Sequence, residues 1–218
     1  MAILGALVCS TIGCKVLHKL HLEGDGIQGS GKAKTESRTV GSFSKIAVEG
    51  PADVKWTQSD KQTLSVKTDD NLLSNLETEI KGDTLYIRFK ENCSTKTDSI
   101  VTIASPTLDG LAISGSSDAE LLGISSDDFN ISVSGSGDVT ASGTAKSADI
   151  SISGSGDVDA FGLQLDSADV SIAGSGEMKL SVKTLLDASI AGSGDISYRG
   201  DPKVQKSVMG SGDVSRVN

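Results

Sequence analysis

The tetrapeptide Gly-Ser-Gly-Asp/Glu begins at Gly135, Gly154, Gly174, Gly192 and Gly210, and a variant, Gly115-Ser-Ser-Asp118, stands one repeat earlier. Successive starts lie 20, 19, 20, 18 and 18 residues apart. A period this regular, with no helical spacing inside it, marks a chain that stacks one coil on the next. Aligned on the first glycine, the repeats fall into columns. Two residues before it stand Ile113, Val133, Ile152, Ile172, Ile190 and Val208; two further back stand Leu111, Ile131, Ile150, Val170, Ala188 and Lys206. Four residues after it come Ala119, Val139, Val158, Met178, Ile196 and Val214. Alternate strand residues share a face, so these columns point inward. Between the first two lies an outward column, Ala112, Ser132, Ser151, Ser171, Ser189 and Ser207. A second glycine follows the first by eight at Gly123, Gly143, Gly162 and Gly200, with Val182 the exception, and marks another corner.

The pattern predicts an all-β chain wound as a right-handed parallel β-helix (a β-solenoid), with about three short strands in each coil of 18–20 residues. A left-handed winding demands strict hexads. The six-residue step from Ile152 to Val158 hints at one, but the drift in period and the polar Gln164 at the next step break it. Residues 111–218 are the regular coils, and residues 40–110 follow the same grammar loosely, as first coils and cover. Within them Thr63–Lys67, Thr84–Phe89 and Ile100–Ile103 alternate as strands, and 71–79 (NLLSNLETE) reads as one helical turn or two laid over the first coils. At the far end Lys206 interrupts an apolar column, as a terminal coil facing water should.

Composition narrows the function. The net charge of −9 disfavours electrostatic capture of nucleic acid or of an anionic membrane surface. Aromatic residues make up only 3%, which leaves stacking platforms for bases or sugars poorly supplied. The two histidines, His18 and His21, lie upstream of the patterned region, so the usual proton shuttle is missing from it. Cys9, Cys14 and Cys93 cannot form a disulfide framework.

Residues 1–14 read as an export signal or the remnant of a lipoprotein signal: Ala2–Gly13 is apolar and small, too short to span a bilayer, and Thr11-Ile12-Gly13-Cys14 looks like a degenerate lipobox that would lipidate Cys14. Residues 15–39 read as a flexible tether. Within them 26–32 nearly matches a phosphate-binding loop, but Ala33 stands where the magnesium-binding Ser or Thr belongs, and no strand–helix frame surrounds it.

The acidic residue of each repeat (Asp118, Asp138, Asp157, Glu177, Asp195, Asp213) should stack into a ladder. Neighbours ~4.8 Å apart repel by roughly 0.9 kcal/mol in water, which is tolerable if they are hydrated or if each caps its own turn through backbone N–H groups. The alternative is weak Ca²⁺ binding along Asp138, Asp157, Glu177 and Asp195, because that cation collects several oxygens. A second polar column, Asn130, Asp149, Asp169, Asp187 and Gln205, reads as a hydrogen-bonded corner.

Phe43-x-x-Ile46-x-Val48-x-Gly50-x-x-Asp53-Val54, Asp70-Asn71-Leu72-Leu73, Thr84-Leu85-Tyr86-Ile87 and the Gly-Ser-Gly-Asp array together resemble the auto-transporter adhesin "head GIN" domain family over about residues 26–217. The resemblance implies a right-handed parallel β-helix, found in cell-surface or periplasmic lipoproteins of Bacteroidetes-like bacteria, and carries no catalytic residues. The leading expectation is therefore a non-enzymatic scaffold of the cell envelope or surface that binds a protein or glycan. It would touch a membrane only through an N-terminal lipid anchor, bind no nucleic acid and need no cofactor other than weak Ca²⁺. Self-association through the last coil is a further expectation. The competing reading is a polysaccharide hydrolase or lyase working through paired Asp residues such as Asp138 and Asp157.

Overall fold

The computed structural model describes residues 26–218. The chain runs through β1 (Ile27–Gln28), β2 (Ala33–Arg38), β3 (Lys45–Gly50), β4 (Asp53–Gln58), β5 (Thr63–Asp69), β6 (Leu76–Lys81), β7 (Thr84–Phe89), β8 (Cys93–Ser94) and β9 (Ile100–Ser105). It continues through β10 (Gly110–Gly115), β11 (Ala119–Gly135), β12 (Val139–Gly154), β13 (Val158–Gly174), β14 (Glu177–Gly192), β15 (Asp195–Arg199), β16 (Lys203–Gly210) and β17 (Val214–Arg216). No helix occurs among the described residues, and every strand except β1 and β8 belongs to one sheet wound around one core.

The columns read from the repeat are the registers of this sheet. Ile131, Ile150, Val170, Ala188 and Lys206 pair storey by storey, as do Val133, Ile152, Ile172, Ile190 and Val208. All of them up to Ala188 and Ile190 are buried. Each storey has three walls: one ending at the repeat glycine, a second after Gly-Ser-Gly, and a third between them. β11 to β14 each run unbroken through two corners, so the expected short strands are straight stretches of one bent strand. The drift in period is taken up beside the third wall. Between β13 and β14 the register jumps from Ala160↔Leu180 to Gln164↔Ser181 and again from Leu165↔Val182 to Ser167↔Leu185, and the first wall then resumes in step.

The first glycine of the corner recurs in every regular storey for a steric reason. Gly174 has φ +141°, and a Cβ there would lie 2.0 Å from the carbonyl oxygen of Gly154 below. That same oxygen accepts the N–H of Ser175 at 2.9 Å, a bond repeated up the corner from Ser136 to Ser211. Only glycine lets the backbones approach closely enough for this bond.

The first storeys are not stacked in chain order. Along the first wall the spatial order is β6, β7, β3, β10, then the last stretch of β11, and along the second wall β9 lies under β4, which lies under the start of β11. The chain therefore lays down the storey of β3 and β4, leaves it for an excursion, builds a storey beneath, and returns above at β10. The lower edges are covered by antiparallel strands, β6 on β7, β5 on β9 and β2 on β5.

Two expectations change here. Segment 71–79 forms a single turn, with Leu76 N–H bonded to the Leu72 carbonyl at 2.9 Å, and becomes strand β6 at Leu76. Its Leu72, Leu73 and Leu76 are buried, so it does act as a cover. The tether expected over 15–39 is held in the fold from residue 26 onward: β2 pairs with β5 along its whole length, and Arg38 donates to the carbonyls of Leu73 and Leu76 at 2.6 and 2.5 Å. Its sequence, AKTESR, is polar on both faces because it is an exposed edge strand. Residues 1–25, with the expected export signal and Cys14, lie outside the described residues.

Candidate functional site

The acidic column stacks as a ladder, and its geometry shows what each carboxylate does. Oδ1 of Asp53 accepts the N–H of Asp118, Asp118 that of Asp138, and Asp138 that of Asp157, each at 3.0 Å. Asp157 accepts the N–H of Glu177 at 2.7 Å, and Asp195 that of Asp213 at 2.8 Å. The cap thus reaches the storey above rather than the residue's own turn. The chain of caps breaks once, at Glu177. Its longer side chain pairs with Lys179 at 3.2 Å, and the N–H of Asp195 turns to the Gly176 carbonyl instead. Asp138, Asp157, Glu177 and Asp195 are strung along the axis and do not converge. Among the described residues no group of three or more His, Cys, Asp or Glu side chains could hold a metal ion.

The phosphate-loop look-alike has a structural explanation. Asp69, fully buried at the end of β5, accepts the N–H of Gly31 at 2.6 Å on one oxygen and those of Lys96 and Thr97 at 2.9 and 3.3 Å on the other. Asn71 accepts the N–H of Ser30 at 2.9 Å and donates to the Gln28 carbonyl at 2.8 Å. A carboxylate of the chain itself thus occupies the place a phosphate would take. Burial pushes the Asp69 carboxyl up, but the N–H groups of Lys96, Gly31 and Thr97 outweigh it and hold the group below its ordinary value.

The second polar column forms one wall of a concave corner. Asn130, Asp149, Asp169, Asp187 and Gln205 are in register on adjacent storeys, where the third wall turns into the first. The opposite wall is the column Asp128, Ser147, Ser167 and Leu185, and the floor is Phe129, Ala148 and Ala168, with buried Leu186 next in the same register. The two alanines set between larger residues leave a groove of about 410 Å³ running along the axis. Burial first, then the carboxylates of Asp187 and Asp149, push Asp169 above its ordinary value. The lysines of the third wall do not relieve this charge: Lys146 is paired with Asp127 at 2.8 Å and Lys183 with Asp166 at 3.0 Å. The sequence shows the column; the alanine floor that makes it concave becomes apparent only once the third wall is placed.

The family model described as putative auto-transporter adhesin, head GIN domain, matches residues 42–202. The chain belongs to this family. Among solved structures, it is similar to a putative adhesin from Bacteroides fragilis, at 26% identity and a TM-score of 0.72, over 88% of this chain and 100% of that one. It is similar to a putative adhesin from Parabacteroides distasonis at 27% identity and a TM-score of 0.57, over 88% and 99% of the two chains. A putative lipid binding protein from the same species aligns at 29% identity and a TM-score of 0.55, again over 88% and 99%. No curated protein matches the sequence. As a head GIN domain, the chain places its Asp70-Asn71 motif in the clasp around residues 28–32 and its Gly-Ser-Gly-Asp array in the capped corner. Both motifs make hydrogen bonds within the fold.

Proposed function

We propose that this head GIN domain is a non-enzymatic binding protein of the bacterial envelope or cell surface, and that the corner groove is where it holds its partner. The observation that carries the reading is the Asp149–Asp169–Asp187 column beside an alanine floor, with Asp169 raised by burial first and then by its two neighbours. A stack of carboxylates that repel one another is relieved by cationic groups laid along it. The partner of best fit is an extended protein segment bearing Lys or Arg at intervals that match the storeys. A rigid solenoid loses little ordering entropy when it binds such a segment. The family's adhesin name, shared by its solved relatives from Bacteroides and Parabacteroides, supports exposure on the cell surface. Lipidation at Cys14 would supply the anchor, and labelling with an alkyne fatty acid, lost in C14S, tests it.

Binding is tested by titrating the full chain with Lys-rich, Glu-rich and neutral peptides and with neutral oligosaccharides, in parallel with D149N/D169N/D187N. Three exposed ion pairs at ~0.5–1 kcal/mol each correspond to a loss of about 10- to 150-fold for the Lys-rich peptide, with a marked salt dependence. Equal affinity of the triple variant and wild type would place recognition on another face. Preference for the oligosaccharides would make the partner a glycan.

The raised Asp169 between two carboxylates also favours a second reading, an acid–base pair that cleaves polysaccharide. Turnover of pectic or host glycans that disappears in D169N would support it. Asp138 and Asp157 are better explained as caps, since each has an oxygen committed to the storey above.

A further inference from the structure

The solenoid ends differently above and below. The lower edges continue into covering strands β6, β5 and β2. At the upper end β16 pairs only with β14, and β17 only with β15, so among the described residues their outer edges have no strand partner. An edge of this kind presents free N–H and C=O groups to any second strand. The apolar columns reach this level too. Val208 stands over Ile190 and Val214 over Ile196, with Val208 37% exposed where Ile190 is 1% exposed. Met209, next to Val208, is 71% exposed. Most of what a further storey needs is therefore in place.

One residue departs from that pattern. The register sets Lys206 over Ala188, in the inward column filled below by Leu111, Ile131, Ile150 and Val170. Its Nζ donates to the carbonyl oxygen of Val214 at 3.3 Å, on the adjoining wall, so the side chain spans the mouth of the core. Ala188 beneath leaves room for the aliphatic stem, while the ammonium remains at the surface. A second strand layer would have to take that ammonium out of water with no carboxylate supplied by the column, and buried charge without a partner is strongly unfavourable. One self-pairing open to the upper edge is mouth to mouth. That contact is isologous and sets two Lys206 side chains into one interface.

We infer that Lys206 is a stop residue: it keeps a second copy of this chain from adding to the β16–β17 edge and leaves the solenoid a single unit. The test compares wild type, K206I and K206R as full chains, using peptide-resolved hydrogen exchange over residues 203–216 at micromolar and at hundreds of micromolar protein, with circular dichroism confirming the fold. This readout reports the edge itself, independently of association elsewhere in the chain. In wild type and K206R, exchange at the edge does not change with concentration. In K206I it slows by at least about tenfold at the higher concentration, as mass action requires for a new interface. Adding V208D to K206I abolishes the protection. A folded K206I whose edge exchanges at one rate across the range would overturn the inference, and so would a wild-type edge already protected by concentration.

Discussion

Replacing Gly174 by alanine tests the corner with a magnitude that follows from its geometry. The new Cβ would lie 2.0 Å from the Gly154 oxygen, against the 3.3 Å or so of an ordinary C–H···O contact. A φ of +141° adds about 1–3 kcal/mol of backbone strain for any side chain. To relieve the clash the storeys must part, stretching the bonds Ser175 N–H to Gly154 O and Ser193 N–H to Gly174 O at ~0.5–1.5 kcal/mol each. Together these give a loss of about 2–6 kcal/mol, or roughly 5–20 °C in melting temperature for a chain of this size. Two other glycines serve as controls. Gly82 has φ +65° with nothing within 4 Å of a Cβ, so G82A should lose only the strain of a left-handed residue, about 1–2 kcal/mol. Gly41 has open space and no positive φ, so G41A should be neutral or stabilising by up to ~1 kcal/mol. Urea and thermal unfolding of the three variants would refute the reasoning if G174A were no less stable than G82A.

In the ladder, D157A leaves the Glu177 N–H without its acceptor and should lower the melting temperature by about 2–4 °C, the equivalent of ~1 kcal/mol, whereas D157N keeps an acceptor oxygen and should lose less than half of that. Asp69 has a folded pKa below its unfolded value, so its stabilisation is fully present above about pH 4 and is lost as pH falls further. Amide exchange at Gly31 and Lys96, corrected for intrinsic rate, should accelerate in that window, and D69N should already be fast at neutral pH. Asp169 is shifted the other way, so its ionised form destabilises the fold once pH rises past its folded pKa. D169N should therefore melt higher than wild type at pH 7 and lose the advantage near pH 3. Asp118, Asp138, Asp157 and Asp195 each commit Oδ1 to a backbone N–H, so exchanging EDTA for millimolar Ca²⁺ should leave the melting temperature unchanged; a clear rise would show the ladder collecting the cation.

The repeat made the regular storeys legible residue by residue, because a period of two within each strand and a fixed corner between strands leave one register that buries Ile152 beneath Ile172. The caps were legible as a role, though not in their direction: spacing along one coil cannot say that Asp138 reaches Asp157 above it. The irregular storeys were hidden for a different reason. β7 and β9 carry no Gly-Ser-Gly, and their partners β3 and β4 come earlier in the chain, so their place beneath them follows from non-local pairing alone. Segment 71–79 looked helical because Leu72, Leu73 and Leu76 share one side of a turn, a spacing that a buried reverse turn satisfies equally well. The groove was half visible. Its carboxylate column stood out, but the floor depends on Ala148 and Ala168 lying in register between Phe129 and Leu186.

All of these assignments require Ser151 and Ser171 to be neighbours one storey apart, with Ser189 one storey beyond. Cysteine pairs measure that directly, because a disulfide closes only when the Cα atoms lie within about 7 Å. Under mild oxidation S151C/S171C should give an intramolecular 151–171 cross-link by peptide mapping, while S151C/S189C, two storeys or ~9.6 Å apart, should not. A cross-link in the second pair and none in the first would contradict the stacked solenoid and everything placed upon it.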